Sequence, residues 1–281
     1  SNLAIALNGT TNHNAAVTIT NADYTLSDLV TINNGTAGAI TLNTTDTALS
    51  GSSSDLAAAF AGTVTEHTGT VTITNADYTV AELKTINAAT TGAITLNTTD
   101  TALSGTSADL ALAFAGTVTE HTGTIGISNA DYTVAQLKTI NAASTGAITF
   151  TTATTALSDT SANLAVALNG TTNHNAAVTV TNADYTAAEL ETINNGTAGA
   201  ITLNTTNTAL SGTGSSLAAA FAGTVTEHTG TVGITNADYT VAELKTINAA
   251  VTVRASKKAD KTAAEIQNKS DSNVFERMLN N

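Results

Sequence analysis

The sequence predicts an α/β fold made of tandem repeats, a solenoid of strand-turn-helix coils stacked on one parallel sheet. A tetrad, Asn-Ala-Asp-Tyr, recurs along the chain, and its copies follow one another at spacings of 54, 54, 53 and 54 in the numbering. All five tyrosines belong to this tetrad, and all five histidines recur in phase with it. Each repeat contains two strand patterns, and each of these is followed by a helix pattern. Repetition of this kind is typical of solenoids, whose coils bury too little apolar surface alone and must stack.

A longer period lies above the first one. The motif at residues 7–14 returns at residues 168–175, three repeats further along the chain. We interpret this shift as duplication of three-repeat cassettes. Residues 2–4 match residues 163–165, inside a helix pattern, so we expect the chain to start in the middle of a coil. The repeats predict one solenoid domain over residues 1–250.

The first coil of each repeat is predicted to be a strand followed by a short amphipathic helix. Residues 70–74 alternate apolar and polar side chains at period two, which is typical of a strand with one buried face. Thr79 and Glu82 form a capping box, in which side-chain oxygens bond the free amides at the start of a helix. The same pair recurs at Thr25/Asp28, Thr133/Gln136, Thr186/Glu189 and Thr240/Glu243. The apolar stripe of the helix consists of Val80, Leu83 and Ile86.

The second coil is predicted to be a strand at residues 93–96, a polar connection, and an alanine-rich helix from residue 106. Leu110 and Phe114 lie on its inner face, and Gly116 ends it in the position that favours a left-handed backbone. Glycine recurs there at Gly62, Gly170 and Gly223.

The strands are expected to form one parallel sheet with helices on its inner face only, a stacking like that of leucine-rich repeats. The alternation Val-Thr-Ile-Thr favours this arrangement, because a strand covered on both faces would be apolar throughout. An alternative pairs residues 63–65 with residues 70–72 as a hairpin. That pairing would leave the two helices of each repeat without a continuous sheet.

The repeat pattern ends at Val251, and residues 251–281 are predicted to form a helical C-terminal cap. Thr262 and Glu265 form another capping box, and an apolar stripe follows at Val274, Phe275, Met278 and Leu279. Solenoids need capped ends, because the last coil would otherwise expose a sheet edge and part of the core. The alternatives for this segment are an export signal or a docking helix for a partner or another subunit.

The charge balance limits the partners that we expect. Residues 1–250 carry 18 acidic and 3 basic side chains, whereas residues 251–281 carry 4 acidic and 6 basic ones. An acidic body is repelled by nucleic acid and by anionic membrane surfaces, so neither is an expected partner. No apolar run approaches the ~20 residues that a membrane-spanning helix needs. The chain has no cysteine, which is compatible with secretion.

Threonines that point away from the helices are the candidate binding residues. They would form regular rows on the uncovered face of the sheet, similar to the ice-binding face of some β-solenoid antifreeze proteins. Gly126 and Gly233 interrupt the rows, and threonine is also simply a good exposed strand residue. The candidate residues are Thr18, Thr20, Thr41, Thr72, Thr74, Thr95, Thr149, Thr179, Thr181 and Thr202.

Glu-His pairs recur at positions 66–67, 120–121 and 227–228, and Asn-His takes their place in two repeats. Stacked coils would separate successive pairs by ~9.6 Å, too far to share a metal ion. We therefore predict an exposed loop position that is repeated by descent, and no metal site.

The Asn-Ala-Asp-Tyr loops could attract calcium, which prefers oxygen ligands. Each repeat supplies only one carboxylate there, at Asp23, Asp77, Asp131, Asp184 and Asp238. We expect these aspartates to bond backbone amides at turns and helix starts, and the tyrosines to stack between coils as a ladder. No cofactor is expected, with calcium kept as an alternative.

Catalysis is not expected. An active site is normally a single constellation of nucleophile, base and binding groups. Here every polar residue of interest occurs in three to five copies, and no glycine-rich phosphate loop is present.

The motifs Thr-Ile-Thr-Asn-Ala-Asp-Tyr-Thr-Val-Ala-Glu-Leu and Gly-Thr-Ser-Ala-Asp-Leu-Ala-Leu-Ala-Phe-Ala-Gly resemble repeats in very large surface or secreted proteins of marine cyanobacteria and in fibre-like proteins of their phages. The resemblance covers residues 1–250 and implies a non-catalytic role outside the cell or on a virion. We expect a structural module of a long cell-surface or secreted protein, a spacer, adhesin stalk or coat that associates with itself or with other surface components. The alternatives are a phage fibre, and a module that binds glycan, mineral or ice through its threonine face.

Overall fold

A computed structural model describes residues 2–10 and 13–251, and in these ranges short strands alternate with helices. The helices are α1 (Asn2–Leu7), α2 (Leu26–Gly35), α3 (Ser53–Ala59), α4 (Val80–Ala89), α5 (Ser107–Ala113), α6 (Val134–Ala142), α7 (Ser161–Leu168), α8 (Ala187–Gly196), α9 (Gly214–Ala220) and α10 (Val241–Ala250). The strands are β1 (Val17–Ile19), β2 (Ile40–Leu42), β3 (Leu49–Gly51), β4 (Val71–Ile73), β5 (Ile94–Leu96), β6 (Leu103–Gly105), β7 (Ile125–Ile127), β8 (Ile148–Phe150), β9 (Leu157–Asp159), β10 (Val178–Val180), β11 (Ile201–Leu203), β12 (Leu210–Gly212) and β13 (Val232–Ile234). The α/β class and the repeated strand-helix units agree with the prediction.

We define four repeats from the strand that precedes each tetrad. The first repeat spans residues 16–69, the second 70–123, the third 124–176 and the fourth 177–230. Each repeat contains a longer helix with a capping box and a shorter alanine-rich or serine-rich helix. Consecutive helices contact each other along the whole described chain.

The strands form several small parallel sheets, so the prediction of one continuous sheet is wrong for the described residues. The strand orders are β1-β2, β3-β4-β5, β6-β7-β8, β9-β10-β11 and β12-β13. Every pairing is parallel, and each three-stranded sheet joins strands from consecutive coils.

The interruption between sheets comes from a change of register inside each polar connection. Ile94 forms a bridge with Val118, whereas Leu103 pairs with Ile125, so the pairing offset is two positions shorter after the connection than before it. The shift falls at Thr99, whose carbonyl accepts from two consecutive amides, at 2.8 and 3.1 Å. Because two consecutive amides donate to one carbonyl, the pairing register of the two coils shifts at this point, as it does at a β-bulge.

The alternative hairpin is also wrong. Val64 forms a parallel bridge with Ile40, and Val71 pairs in parallel with Leu49 and Ile94. Residues 63–65 and 70–72 thus belong to one extended segment that lies against the previous coil.

The predicted capping boxes are confirmed in all five longer helices. In α4 the Glu82 amide donates to Thr79 Oγ1 at 3.3 Å, and the Thr79 amide donates to Glu82 Oε2 at 2.9 Å. The other helices repeat both bonds. These helix starts are fixed by local sequence, because both partners lie within one turn.

The ends of the shorter helices depend on glycine and on an asparagine from the neighbouring coil. Gly116 has a φ of 73°, a backbone conformation that glycine adopts without steric cost. The Nδ2 group of Asn87 donates to the Leu112 and Ala113 carbonyls at 2.9 and 3.1 Å, where helix α5 leaves carbonyls without helical partners. The predicted glycine stops are confirmed, and each of them is accompanied by a contact between coils.

The core runs along the stacked coils as a single cluster of apolar side chains. Ile73, Leu83, Ile86 and Leu110 have no exposed surface, and each such side chain contributes about 1.5–3 kcal/mol of transfer free energy. Much of this burial is against adjacent coils, which is why one coil could not fold alone. In eight of the thirteen described strands the outer two residues are buried and the middle one is exposed or half-buried. In β3, β6, β9 and β12 only the first residue is buried.

The repeated pattern continues to Val251, the last described residue. The cap was predicted for residues 251–281, and all of these except Val251 lie outside the described residues. Among the described helices, none is long and apolar enough to cross a membrane.

Candidate functional site

The predicted threonines lie on the outer face of the small sheets. Seven of them are central strand residues, and Thr20, Thr74 and Thr181 directly follow a strand. Thr72 and Thr179 are half-buried, and the other predicted threonines are exposed. The outward orientation is confirmed, but the division into several sheets also divides the expected continuous rows.

Within each sheet the outward side chains form a short rung. The rungs are Ser50–Thr72–Thr95, Ser104–Gly126–Thr149 and Ser158–Thr179–Thr202, with Thr18–Thr41 and Ser211–Gly233 in the two-stranded sheets. The serines were not predicted, because Leu-Ser-Gly is too short for a period-two pattern. A rung therefore presents one to three small side chains, and a ligand on this face would meet separate rungs.

A second group of repeated residues lies in the core, where the sequence predicted an exposed loop. His67, His121, His174 and His228 are buried, with at most 1% of their surface exposed. The prediction of an exposed Glu-His column is wrong for these histidines. The glutamates are exposed as expected, since adjacent residues of an extended segment point to opposite sides.

Each buried histidine contacts a phenylalanine ring of its own repeat, and His121, His174 and His228 also contact a tyrosine ring. In the second repeat the His121 ring lies 5.4 Å from the Phe114 ring and 6.3 Å from the Tyr78 ring, measured between centroids. Tyr78 donates its hydroxyl to the Thr98 carbonyl at 2.9 Å. Four of the five tyrosines are buried, three of them beside histidines, and Tyr239 is exposed, so the expected ladder of stacked tyrosines is wrong. We call Tyr78, Phe114 and His121, with their counterparts, the aromatic clusters; the others are Tyr24/Phe60/His67, Tyr132/Phe150/His174 and Tyr185/Phe221/His228.

Burial sets the charge state within these clusters. Desolvation lowers the pKa of all four buried imidazoles below the usual value, against opposing hydrogen bonds from backbone groups. Desolvation also raises the pKa of the buried tyrosines. Both shifts favour neutral rings, so the clusters are apolar packing elements near neutral pH.

The Asn-Ala-Asp-Tyr loop links consecutive helix starts. Asn75 Oδ1 accepts from the Ser53 amide at 2.7 Å, and Asn75 Nδ2 donates to Asp77 Oδ1 at 2.7 Å. Ser53 Oγ in turn donates to Glu82 Oε2 at 3.0 Å. Two hydrogen bonds lower the pKa of the Asp77 carboxyl. The bond from the Asn75 side chain has the larger effect, and the bond from the backbone amide of Asp77 itself comes second. The loop thus connects coils, and the aspartate bonds a side-chain amide as well as the predicted backbone amide.

In the described residues, no three histidine, aspartate or glutamate side chains come close enough together to hold a metal ion. Calcium at the aspartates of the Asn-Ala-Asp-Tyr loops stays an alternative to the prediction of no cofactor. Phenylalanine recurs in phase with the histidines at Phe60, Phe114 and Phe221. The exposed glutamates Glu66, Glu120 and Glu227 recur with the same phase, so periodicity alone does not identify the core position of the histidines.

No protein-family model, no curated protein and no solved structure matches this chain.

Proposed function

We propose that the chain is a non-catalytic structural repeat module of a long cell-surface or secreted protein, a spacer, adhesin stalk or coat. The carrying observation is that the polar side chains of each repeat bond the next coil. Asn33, Asn87 and Asn194 each donate to carbonyls at the end of the following shorter helix. Such contacts make every coil depend on its neighbours, which suits an array that has to keep its length.

The surface composition supports the same proposal. The repeats carry a large excess of acidic over basic side chains, and threonine, alanine and asparagine together fill most of the exposed positions. A net charge far from zero keeps a long protein soluble and limits association between unrelated arrays. The extracellular or cell-surface location rests on the resemblance of the repeats to those of cyanobacterial surface proteins.

The spacer role can be tested by varying the number of repeats. Residues 16–176 contain one three-repeat cassette, so proteins with one, two and three cassettes can be made before the natural residues 177–281. Small-angle scattering should give a maximum dimension that rises by an equal increment per cassette. A compact protein would instead grow with about the 0.38 power of its length, and that result would contradict the proposal. A mass measurement on each protein excludes oligomers.

The location is tested separately by fractionating source cells with an antibody against residues 251–281. Signal on intact cells or in the medium supports a surface protein. Signal confined to purified virions would instead favour the phage fibre, in which the chain is expected to be a trimer. Signal only in the cytosol would contradict both proposals.

A second candidate is a surface-binding module, favoured by the exposed hydroxyls of the rungs. Replacing Thr95, Thr149 and Thr202 by valine removes one exposed hydroxyl from each three-stranded sheet and should abolish ice shaping or retention on glycan and mineral supports. The matched control replaces Thr31, Thr85 and Thr139 by valine, because these hydroxyls donate to carbonyls within their own helices. Equal retention of the wild-type protein and both variants would contradict a role of the rungs in binding.

A further inference from the structure

Four histidines occupy core positions that accept a neutral ring. His67, His121 and His228 have no exposed surface, and His174 has 1%. Each ring packs on a phenylalanine at a centroid distance between 5.4 and 5.7 Å. Placing a charge in such a site costs free energy unless the charge is paired and hydrogen-bonded.

We propose that these histidines make the repeat array acid-sensitive: below about pH 6.5, the ordinary titration point of histidine, the opened chain takes up protons that the buried rings resist, and the contacts between coils weaken. The contacts between coils would then be stable at neutral pH and would weaken in mildly acidic surroundings. Because every complete repeat carries one such ring, the response would act along the whole described array.

The groups facing the rings decide how strongly each one resists protonation. Asp46 and Asp100 are the charged groups that act on His67 and His121, and their charge favours the protonated ring. The equivalent positions in the third and fourth repeats are the neutral Thr154 and Asn207. Backbone groups of Thr47, Gly69, Thr101, Thr155 and Thr208 and the rings of Tyr78, Tyr132 and Tyr185 complete the surroundings.

His174 differs from the other three buried histidines in its hydrogen bonds. His174 has partners on both nitrogens, the Thr155 carbonyl at 3.0 Å and the Thr197 hydroxyl at 2.8 Å. His67 Nδ1, His121 Nε2 and His228 Nε2 are buried without a hydrogen-bond partner. A protonated imidazole donates from both nitrogens, so in these three sites one charged N–H would have no acceptor in hydrogen-bonding geometry. His228 also has no carboxylate among the groups that act on it, in contrast to His67 and His121.

The direction of the effect follows from proton linkage. The pKa of each buried ring is lowered by desolvation, so the unfolded chain takes up protons first as the pH falls. Above about pH 6.5 neither state binds these protons, and the histidines leave stability unchanged. Below it, each ring that stays neutral in the fold lowers the folding equilibrium constant by up to about tenfold per pH unit, until its folded pKa is reached.

The carboxylates act in a different pH window. The lowered pKa of Asp77 and its counterparts contributes stability that is lost only as the pH falls below 3.8, the ordinary pKa of an aspartate. A loss of stability between about pH 6.5 and pH 4.5 is therefore assigned to histidine, and a loss below that range to aspartate.

The test is urea unfolding of the full chain at several pH values from about 7.5 to 4.5, followed by circular dichroism. The folding equilibrium constant should be flat down to about pH 6.5 and then fall by more than tenfold per pH unit, since several histidines act together. A flat response down to about pH 4.5, or a loss confined to lower pH, would overturn the proposal.

Two further measurements keep the result specific. Histidine C2-hydrogen exchange on the wild-type protein reads each folded pKa, and ordinary values near 6.5 at the four buried rings would overturn the proposal without any variant. His228→Gln should remove up to about one tenfold step per pH unit, whereas His13→Gln should leave the slope nearly unchanged, because His13 is only half-buried. If His228→Gln does not fold, the exchange measurement still decides.

Discussion

The second and third repeats build the same aromatic cluster from different positions. In the second repeat the ring beside His121 comes from Phe114, directly after helix α5, and Leu96 fills the strand position. In the third repeat the ring beside His174 comes from Phe150 in strand β8, at 5.7 Å, and a leucine takes the helix position at Leu168. All four of these apolar side chains are buried, with at most 4% of their surface exposed. One phenylalanine and one leucine have exchanged places around a histidine that both repeats keep.

A second exchange concerns charge. Lys84 forms a salt bridge with Asp109 at 2.5 Å in the second repeat, where Gly105 ends strand β6. In the third repeat Lys138 donates to Asn163, and Asn163 donates to Asp159, which replaces the glycine, at 2.8 Å. The carboxylate has moved from the first turn of the helix to the end of the preceding strand, and the lysine keeps an oxygen partner.

The two exchanges show that the repeats keep the same side-chain contacts even where the residues that make them stand at different sequence positions. A core site requires a given volume and ring contact, and swaps that keep the total volume are tolerated best. The histidine itself never moves, because its backbone takes part in a parallel bridge to the next coil in both repeats.

The largest loss of stability is expected from removing the phenylalanine ring from either cluster. Phe114→Ala and Phe150→Ala should each lower the free energy of unfolding by about 3–5 kcal/mol, because each leaves a cavity beside a buried histidine. Urea unfolding of the two variants measures both losses. A loss below about 1 kcal/mol in either repeat would mean that the two phenylalanines are not equivalent there.

The exchange itself can be reversed in the third repeat. Leu168→Phe should cost about 1–3 kcal/mol by overpacking, and Phe150→Leu should cost about 1 kcal/mol or more by underpacking. The double variant restores the arrangement of the second repeat, so its loss should be smaller than the sum of the two single losses by about 0.5–3 kcal/mol. Strict additivity in this cycle would rule out the compensation.

The charge exchange is expected to have a smaller effect that depends on salt. Lys84→Met should cost about 0.2–1 kcal/mol at low ionic strength, and added salt should reduce that cost, since exposed pairs are weak and screened. Lys138→Met is the matched variant, and its cost should depend less on salt because its direct partner is a neutral amide. Identical salt dependence in the two repeats would contradict this distinction.

The smallest effect is expected on the outer face. Gly126 lies in the rung position that Thr72 occupies in the second repeat, and a Cβ there would lie 3.2 Å from Ser104 Oγ. Gly126→Thr should change stability by no more than about 0.5 kcal/mol, as for other surface substitutions. Gly92→Ala is the contrasting control, because its Cβ would lie 1.8 Å from the Gly69 carbonyl oxygen. Equal stability of the two variants would contradict the described stacking of coils.

The sequence by itself determined the parts of this protein that depend on neighbours within one turn. The repeat length, the strand-then-helix order and the five capping boxes all follow from local patterns, since hydroxyl and carboxylate partners lie within one helical turn of each other. The outward orientation of the threonines also follows, because side chains alternate along a strand.

Only the tertiary structure decided how the coils meet. The division into small sheets depends on the register shift at Thr99, whose carbonyl bonds amides of the following coil. The burial of His67 and His121 likewise depends on rings supplied by other segments of the repeat, so the local polar sequence around them suggested an exposed loop. Pairing register and burial are properties of contacts between coils, and a pattern read along one coil contains neither partner.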